Sequence, residues 1–470
     1  MPLTLSPDRL LPADPGVREI ACGLYEQTKD KPIVSPHGHV DARLLADDNA
    51  FPDSAQLLIT PDHYVTRLLH AHGVPLEALG LTNRVSGEQA ADSRSVWRTF
   101  CSLWHVFRAT PSRLWLEAEL VEVFGLDIEP SAQTADQLYD ALAERLASPE
   151  YRPRALFDRF GIEVLATTDD PADDLAAHDR LAADASFTGR VLPTFRPDRF
   201  VDPSRPDFAD AVSQLGAAAG SDITDYPAFL AALANRRSYF GAHGGTATDH
   251  GHPTADAKPL GPADAQRILS AGLSGTATSE DAAAFRGNML FEFVRMAADD
   301  GLTMQLHPGV VRNYDPGSFA AYGPDTGHDI PTTAEYTHAL HPALAEFGNA
   351  ERLHLVLFTI DETVFSRELA PLAGYYPSVY VGAPWWFIDT PDAILRFRSA
   401  VTDSAGFYKT SGFIDDTRAF CSIPARHDMS RRLDAAFLAR LVSEGRLGKD
   451  DAAEVAVDLV DAIPRKVFKL

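Results

Sequence analysis

Short runs of apolar and β-branched residues recur along the chain, and each run ends in polar residues, glycine or proline. Such runs are typical of buried parallel strands whose carboxyl ends open into loops. Most are separated by helical patterns, such as residues 281–299, where apolar positions recur at three- and four-residue steps. Eight runs fit the strand description: residues 32–35, 162–167, 190–195, 240–246, 302–306, 354–359, 379–382 and 406–413. Eight strands that alternate with helices predict an α/β fold, a (β/α)8 TIM barrel, although a doubly wound open sheet would produce similar segments.

One connection is much longer than a crossover between parallel strands requires. More than a hundred residues separate the first two predicted strands, and they include helical patterns at residues 95–109 and 134–146. We interpret this stretch as a helical insertion after the first strand that caps the barrel mouth. The predicted organisation is therefore an N-terminal segment with the first strand (residues 1–40), the helical insertion (41–155) and the remainder of the barrel (156–470).

Two further segments have a distinctive composition. Residues 247–262 are rich in glycine, proline, histidine and aspartate, which predicts a long functional loop. Residues 445–470 have a helical pattern followed by the basic sequence PRKVFKL, and we expect them to lie on the surface.

Charge and cysteine content narrow the choice of partners and compartment. The 470 residues include 42 Lys+Arg and 66 Asp+Glu, which gives a formal net charge of −24. This charge repels nucleic acid and anionic lipid. Cys22, Cys101 and Cys421 are odd in number and far apart, which disfavours a disulfide framework or a cysteine-based zinc site. No run of about 18 apolar residues occurs, so we expect a cytoplasmic protein without a membrane segment.

The clearest chemical pattern is a pair of histidines directly after the first predicted strand. His37 and His39 are two residues apart, so their side chains can point to the same side and converge on one metal ion. Asp416 follows the last predicted strand, which lies beside the first strand when a barrel closes. The sequence therefore predicts a His-His-Asp metal site, with Arg418 facing the same pocket. The alternative for Asp416 is a helix N-cap.

Other candidate residues lie at predicted strand ends or in the insertion. His307 follows a mid-barrel strand and is either a ligand, a substrate contact or a buried structural histidine. His63 and Tyr64 begin a helical pattern and offer acid/base groups. Arg196 can hold a carboxylate through a bidentate pair, and Trp386 can stack on a sugar. A second histidine pair, at positions 250 and 252, falls in the predicted loop and ranks behind the first as a metal site.

Several motifs, taken in order, give the chain a family resemblance. They are SPHGH (35–39), PDHY (61–64), FRPD (195–198), TDHGHPT (248–254), LHPGVVRN (306–313), the segment 361–377, APWWF (383–387) and DDTRAF (415–420). Together they resemble the uronate isomerases (glucuronate isomerases), a branch of the amidohydrolase superfamily of metal-dependent barrels. The resemblance covers nearly the whole chain. It implies reversible aldose–ketose isomerisation of D-glucuronate to D-fructuronate and of D-galacturonate to D-tagaturonate.

The resemblance also implies roles for individual residues. It makes His37 and His39 metal ligands on the first strand and Asp416 the last-strand carboxylate, with Arg418 beside it on the substrate. It matches His63 and Tyr64 to a pair that reaches the sugar. It further implies that four residues contact the substrate: Arg196, His307, Arg312 and Trp386. The middle of the chain has no convincing strand-end lysine or glutamate to bridge two metals, so we expect one divalent ion, zinc.

Alternatives remain open on the sequence alone. A hydrogen can move from C2 to C1 as a proton through a cis-enediol, with Tyr64, His63 or Asp416 as the base, or as a hydride; the acid/base groups favour the proton. The same zinc could instead activate water in an amidohydrolase that cleaves an amide, ester or lactone. A non-catalytic sugar-binding barrel would require lost ligands, and the sequence shows none. The preferred uronate is left open, and so is association into a homo-oligomer.

Overall fold

The computed structural model describes residues 2–470. The strands are β1 (Ile33–Ser35), β2 (Ile162–Ala166), β3 (Arg190–Leu192), β4 (Thr194–Phe195), β5 (Ala247–His250), β6 (Thr303–Leu306), β7 (Val310–Val311), β8 (Ile330–Pro331), β9 (Leu355–Leu357) and β10 (Val379–Val381). The α-helices are α1 (Pro15–Glu26), α2 (Ala42–Asp47), α3 (Ser54–Leu58), α4 (His63–Ala71), α5 (Ser93–Ser102), α6 (Pro111–Ala118), α7 (Ala135–Leu146), α8 (Pro153–Arg159), α9 (Ala176–Ala183), α10 (Phe208–Ala219), α11 (Tyr226–Ala242), α12 (Pro262–Leu273), α13 (Ser279–Asp300), α14 (Pro316–Tyr322), α15 (His341–Phe347), α16 (Ala370–Tyr375), α17 (Pro391–Ala405), α18 (Ile423–Ser443), α19 (Lys449–Val460) and α20 (Ala462–Phe468). Short 3-10 segments are Leu76–Leu79, Trp104–Phe107, Pro149–Tyr151, Asp198–Phe200, Phe407–Lys409 and Phe420–Ser422, and single π turns are Glu119–Val123 and Phe365–Leu369.

The parallel strands follow one another around a barrel. β1, β2 and β3 are neighbours, and β4, β5, β6, β9 and β10 form a second run of parallel neighbours. β3 and β4 are one strand interrupted at Pro193, which has no backbone N–H to donate. Thr410, in the segment that follows β10 and α17, forms a parallel β-bridge with Val381 of β10. The His39 N–H, just after β1, donates to the carbonyl oxygen of Thr417, which connects this last segment to the first strand. The fold is the (β/α)8 barrel that the alternating pattern predicts.

The strand predicted at residues 240–246 is wrong. Phe240 lies near the end of α11, where it is fully buried and packs edge-on against Phe195. The strand β5 begins only at Ala247, so the first residues of the segment predicted as a loop are a strand. Pattern alone does not distinguish the buried end of a helix from a short buried strand. As a consequence, Asp249 and His250 lie at the carboxyl end of a barrel strand.

The eighth predicted strand, residues 406–413, is largely irregular. Phe407–Lys409 form a 3-10 turn, and Gly406 and Gly412 have φ values of 70° and 72° that break extended backbone. Thr410 makes the bridge to Val381 described above. The segment nevertheless occupies the last barrel position, and it brings the residues that follow it next to the end of β1.

The tail is not the surface segment that its basic composition predicts. Val467 is buried, and its carbonyl accepts a hydrogen bond from Thr303 Oγ1 at 2.8 Å, at the start of β6. The tail therefore covers the amino-terminal side of the barrel, where apolar interior side chains need to be shielded from water. Leu470 packs against a cluster of Val34, Val164 and Leu192.

The helices α2–α8 lie between β1 and β2, as the long first connection predicts. They share a hydrophobic core that includes the fully buried Trp97, Phe100 and Phe107. The exact division at residues 40 and 155 stays a prediction. Among residues 2–470, none of the helices combines the length and apolar character that crossing a bilayer requires.

Candidate active site

A cavity of about 640 Å³ lies at the carboxyl ends of the barrel strands. This end of a (β/α)8 barrel is where the strand-to-helix loops place reactive side chains. Every site residue named from the sequence lines this cavity: His37, His39, His63, Tyr64, Arg196, His307, Arg312, Trp386, Asp416 and Arg418. The second histidine pair does not, because His250 and His252 are buried outside it.

Three imidazoles and one carboxylate come together in the cavity. His37 Nε2 lies 3.2 Å and His39 Nε2 3.0 Å from Asp416 Oδ1. His307 Nε2 lies 4.0 Å from Asp416 Oδ2. One nitrogen or oxygen from each of His37, His307 and Asp416 falls within 4.8 Å of the others. The structure thus assembles the three residues predicted as ligands and adds His307 to them.

The donor set fits a divalent metal ion. His307 Nε2 is buried and has no hydrogen-bond partner among residues 2–470. The other ring nitrogen, Nδ1, lies 2.8 Å from Asp249 Oδ1, and this contact fixes the ring so that Nε2 presents its lone pair to the cavity. Imidazole nitrogens and a carboxylate oxygen are the ligands that zinc takes in catalytic sites.

The carboxyl groups of Asp416 and Asp249 are both held in the ionised form. Burial acts to raise the pKa of Asp416, but His37 and His39 outweigh it, and the pKa lies well below its usual range. Burial also opposes ionisation of Asp249, whose pKa is nevertheless well below the usual range because of Arg196 and His307. Asp416 is therefore available as an anionic ligand, and Asp249 as an anionic partner of His307.

Local backbone features explain how β1 and the last segment approach each other. A Cβ atom on Gly38 would lie 3.3 Å from Asp415 Oδ1 and 3.5 Å from the Thr417 carbonyl oxygen. Glycine between the two histidines thus lets the chains come close. Asp416 has φ 42°, in the left-handed region that residues other than glycine rarely adopt. Such conformations persist where the surrounding fold imposes them, and they are frequent at functional sites.

Arg196 is held at the cavity wall by two aspartates. Its Nε donates to Asp198 Oδ2 at 2.9 Å, and its Nη1 lies 3.3 Å from Asp249 Oδ2. The two terminal nitrogens make no hydrogen bond to any other side chain or carbonyl within residues 2–470. Nη1 is paired with Asp249, and Nη2 is therefore the nitrogen that is free to donate to a ligand oxygen from a fixed position.

Four further arginines among residues 2–470 line the same cavity: Arg205, Arg286, Arg312 and Arg418. Arg312 donates to Asp329 Oδ2 at 3.0 Å, and its guanidinium lies 4.9 Å from the ring centre of Trp386. Arg418 lies 3.5 Å from Asp325 Oδ1. The described residues that line the cavity therefore include five arginines and seven aspartates. An anionic group can be bound there by an individual guanidinium group that keeps a free donor.

His63 and Tyr64 reach the cavity from the first turn of α4, whose N-cap is Asp62. Burial, helped by Arg418, lowers the pKa of His63 to about 3, so its imidazole is neutral. The His63 ring meets Trp386 edge-on, with 5.3 Å between ring centres. The Tyr64 hydroxyl donates to Asp389 Oδ2 at 2.9 Å, and burial together with Asp389 holds its pKa well above the usual range.

Sequence reasoning missed the aspartates that orient these groups. Asp249 was hidden by the wrong strand boundary; with β5 placed correctly, it is a strand-end carboxylate. Asp325 and Asp329 belong to the long connection between β6 and β9, and no local pattern marks them. Asp389 follows the paired tryptophans and pairs with residues distant in sequence.

Fold and site together define a class of protein: a (β/α)8 barrel with a histidine–aspartate cluster that fits a metal ion and with arginines in the cavity at its strand ends. A family model described as glucuronate isomerase matches residues 16–465. The chain belongs to this family.

Similar proteins agree with this assignment over the full length. A uronate isomerase from Corynebacterium efficiens is 52% identical over 465 residues, which cover 99% of this chain and 98% of the relative. One from Phenylobacterium zucineum is 50% identical over 469 residues, covering 100% of this chain and 97% of the relative. The crystal structure of glucuronate isomerase from Caulobacter crescentus superposes with a TM-score of 0.97 at 45% identity, covering 100% of this chain and 98% of that one.

Proposed function

We propose that the protein is a uronate isomerase that interconverts D-glucuronate with D-fructuronate and D-galacturonate with D-tagaturonate. The observation that supports this most directly is the single cavity that combines the histidine–aspartate cluster with Arg196, Arg312 and Arg418. The histidine–aspartate cluster can hold a metal ion at the substrate carbonyl, and the arginines can hold the sugar carboxylate.

His37, His39 and Asp416 are proposed as the metal ligands, with His307 as a further nitrogen donor. A bound divalent ion, for which we propose zinc, supplies a Lewis acid that polarises the substrate carbonyl and eases loss of the C2 proton. The side chains of this chain then orient the substrate and move protons. Arginines hold the far carboxylate and the negative charge that develops on the enediolate.

Proton movement is assigned to three groups that line the cavity, Tyr64, His63 and Asp416. Tyr64, His63 or Asp416 takes the proton from C2, and the same proton or one from solvent is delivered to C1. Asp416 can pass a proton between the oxygens on C1 and C2, because an ionised carboxylate accepts a proton on one oxygen and the resulting carboxyl O–H can donate it again. Tyr64 and His63 lie on α4, which faces the cavity.

The remaining features of the proposal are the setting and the ligand class. Cys22, Cys101 and Cys421 are free, which is consistent with a cytoplasmic enzyme. The proposed partner is a small hexuronate, and no nucleic acid is expected to bind. Light scattering would measure whether the chain forms a homo-oligomer.

An NMR time course tests the proposal. Glucuronate incubated with the metal-loaded enzyme is expected to give ketose signals, and galacturonate the corresponding ketose. A protein that leaves both uronates unchanged but cleaves a lactone or nitrophenyl ester would be a hydrolase instead. A protein that binds uronate without converting it would be a sugar-binding barrel.

The purified protein is expected to contain about one divalent ion per chain. The substitution Asp249→Asn is expected to weaken the affinity of the protein for that ion by about 10- to 100-fold. The reason is that Asp249 fixes the ring of His307 through the contact at Nδ1. Asp198→Asn is the matched control, because it removes the other aspartate of Arg196 and leaves His307 untouched. Metal competition titrations measure both variants. Equal metal affinity in Asp249→Asn and in the control would show that the charge of Asp249 does not support metal binding through His307.

Arg196→Met is expected to lower kcat/KM for glucuronate by about 30-fold to several thousand-fold, equivalent to roughly 2–5 kcal/mol. The loss arises because a charge-assisted pair to the substrate carboxylate is removed. Arg199→Met, a change at a neighbouring arginine outside the cavity that pairs with Asp170, is the control. Neutral glucose is expected to be a very poor substrate of the wild type. An unchanged kcat/KM in Arg196→Met would show that another arginine holds the substrate carboxylate.

A further inference from the structure

Tyr64 is placed between the cavity and a buried carboxylate behind it. The phenol lines the cavity, and its O–H donates away from the cavity to Asp389 Oδ2 at 2.9 Å. Asp389 lies between β10 and α17, is buried, and does not line the cavity. Since the single O–H of the phenol is used on this contact, the oxygen lone pairs remain for a group on the cavity side.

Of the two carboxylate oxygens of Asp389, Oδ2 accepts hydrogen bonds and Oδ1 has no partner in the described part of the chain. Arg426, which is buried and stacks on Trp115 at 3.6 Å, donates to the same Oδ2 at 2.9 Å. Asp389 Oδ1 is buried and has no hydrogen-bond partner within residues 2–470. Buried polar atoms normally find partners, so an unsatisfied carboxylate oxygen beside a phenol needs an explanation. Oδ2 is the oxygen that the phenol O–H contacts and thus the one that can take its proton, while the absence of a donor at Oδ1 among the described residues leaves the anion less stabilised and more ready to accept that proton.

We propose that Asp389 is a proton-relay residue: it takes the phenol proton of Tyr64 while Tyr64 Oη takes the proton from C2 of the uronate. This inference rests on the proposed isomerase function. In the first step the C2–H bond breaks, its electron pair forms the C1–C2 double bond, and the carbonyl π electrons move to the C1 oxygen. The C2 proton joins Tyr64 Oη, and the former phenol proton joins Asp389. In the second step the C2 hydroxyl proton passes through Asp416 to the C1 oxygen, the electron pair of that O–H bond forms the C2=O bond, and the electrons of the C1–C2 double bond take a proton from Tyr64 at C1. Tyr64 then recovers its phenol proton from Asp389, so the enzyme ends unchanged.

The charges around the pair agree with this direction of transfer. Burial and Asp389 keep the Tyr64 pKa high, so the phenol is protonated at rest and needs an acceptor before it can act as a base. Burial raises the pKa of Asp389, against the effect of Arg426, which makes it a better acceptor than an exposed aspartate. Glu119 adds a buried carboxylate near Arg426, and the part-buried Asp62 adds another at the cavity wall; burial raises the pKa of both. The region behind Tyr64 is therefore suited to holding a proton.

Asp389→Asn is the direct test, because asparagine keeps the size and an accepting oxygen but cannot take a proton. We expect kcat for glucuronate to fall by about 10²-fold or more, with KM and metal content unchanged, since Asp389 touches neither the cavity nor the cluster. Asp434→Asn is the matched control: Asp434 is also buried and paired with an arginine, Arg398, but lies outside the cavity. It is expected to retain the wild-type kcat.

A double-mutant cycle separates the relay from a structural role. If the two residues act as one unit, Tyr64→Phe with Asp389→Asn is expected to have the same kcat as Tyr64→Phe alone, within about twofold. A further loss of the full Asp389→Asn factor on top of Tyr64→Phe would overturn the relay. So would an Asp389→Asn enzyme with wild-type kcat, or one in which only KM changes. Wild-type ketose formation, measured in parallel, tests the isomerase function independently of these outcomes.

A second variant covers the case in which Asp389→Asn does not fold because Arg426 is left unpaired. Asp389→Asn with Arg426→Gln removes both members of the buried pair, which is better tolerated than removing one. Thermal melting checks that it folds. Its kcat is expected to be reduced as in Asp389→Asn, and a wild-type kcat would contradict the relay.

Discussion

Replacing His37 and His39 together with alanine is expected to remove the divalent ion and to lower kcat/KM for glucuronate at least about 10³-fold. A Lewis acid at a carbonyl contributes several kcal/mol to catalysis, and each 1.4 kcal/mol corresponds to about a factor of ten. Both imidazoles lie within 3.2 Å of Asp416 Oδ1, so their removal leaves that carboxylate without the two nitrogen donors from β1. Metal analysis of the purified variant and an NMR assay measure the two effects.

The chain offers a matched control for this change. His70 and His72 are also two residues apart, but they are exposed and lie outside the cavity. Alanine at both positions is expected to leave metal content and turnover at wild-type values. Full metal and activity in the His37 and His39 variant would show that the ion is bound elsewhere.

Tyr64→Phe is expected to lower kcat by about 10²–10⁴-fold if the phenol is the base at C2. Phenylalanine preserves the packing of the ring near Trp115 but has no oxygen to accept a proton. In heavy water, the proton route predicts that solvent deuterium appears at C1 of the ketose. Steady-state kinetics measure the rate, and NMR of the product measures the label.

Tyr25→Phe provides the comparison for this variant, because Tyr25 also donates to a partly buried aspartate, Asp428, and lies outside the cavity. Its kcat is expected to remain at the wild-type value. Complete retention of the C2 hydrogen in the product at early conversion would argue against a base that exchanges its proton with solvent. A wild-type rate for Tyr64→Phe would move the role of base to His63 or Asp416 and remove the basis for a relay through Asp389.

Sequence periodicity was most reliable where strands are buried on both faces. The runs at residues 162–167 and 302–306 match β2 and β6 closely, because parallel strands between helices are continuously apolar. It was least reliable at residues 240–246, where a buried helix end has the same local pattern as a strand. That error displaced Asp249 into a loop and hid its contact with His307.

In the candidate cluster too, contacts between residues close in sequence were predictable and contacts between distant residues were not. The spacing of His37 and His39 is a local property, and the period of two residues in a strand predicts that both face one side. That Asp416 lies near them follows from barrel closure, which the sequence predicts only through the order of elements. The participation of His307 and the pairing of Tyr64 with Asp389 depend on how separate strand-end loops meet, and no spacing encodes that.

The amino-acid sequence by itself determined the family, the (β/α)8 fold and ten of the side chains that line the cavity. These follow from hydrophobic periodicity, the order of elements and motifs that are each contiguous along the chain. Only the tertiary structure decided which aspartate orients which histidine, arginine or tyrosine, and where the tail lies. The physical reason is that hydrogen bonds and ion pairs depend on distances of about 3 Å, and residues far apart in the chain reach such distances only when the barrel has closed.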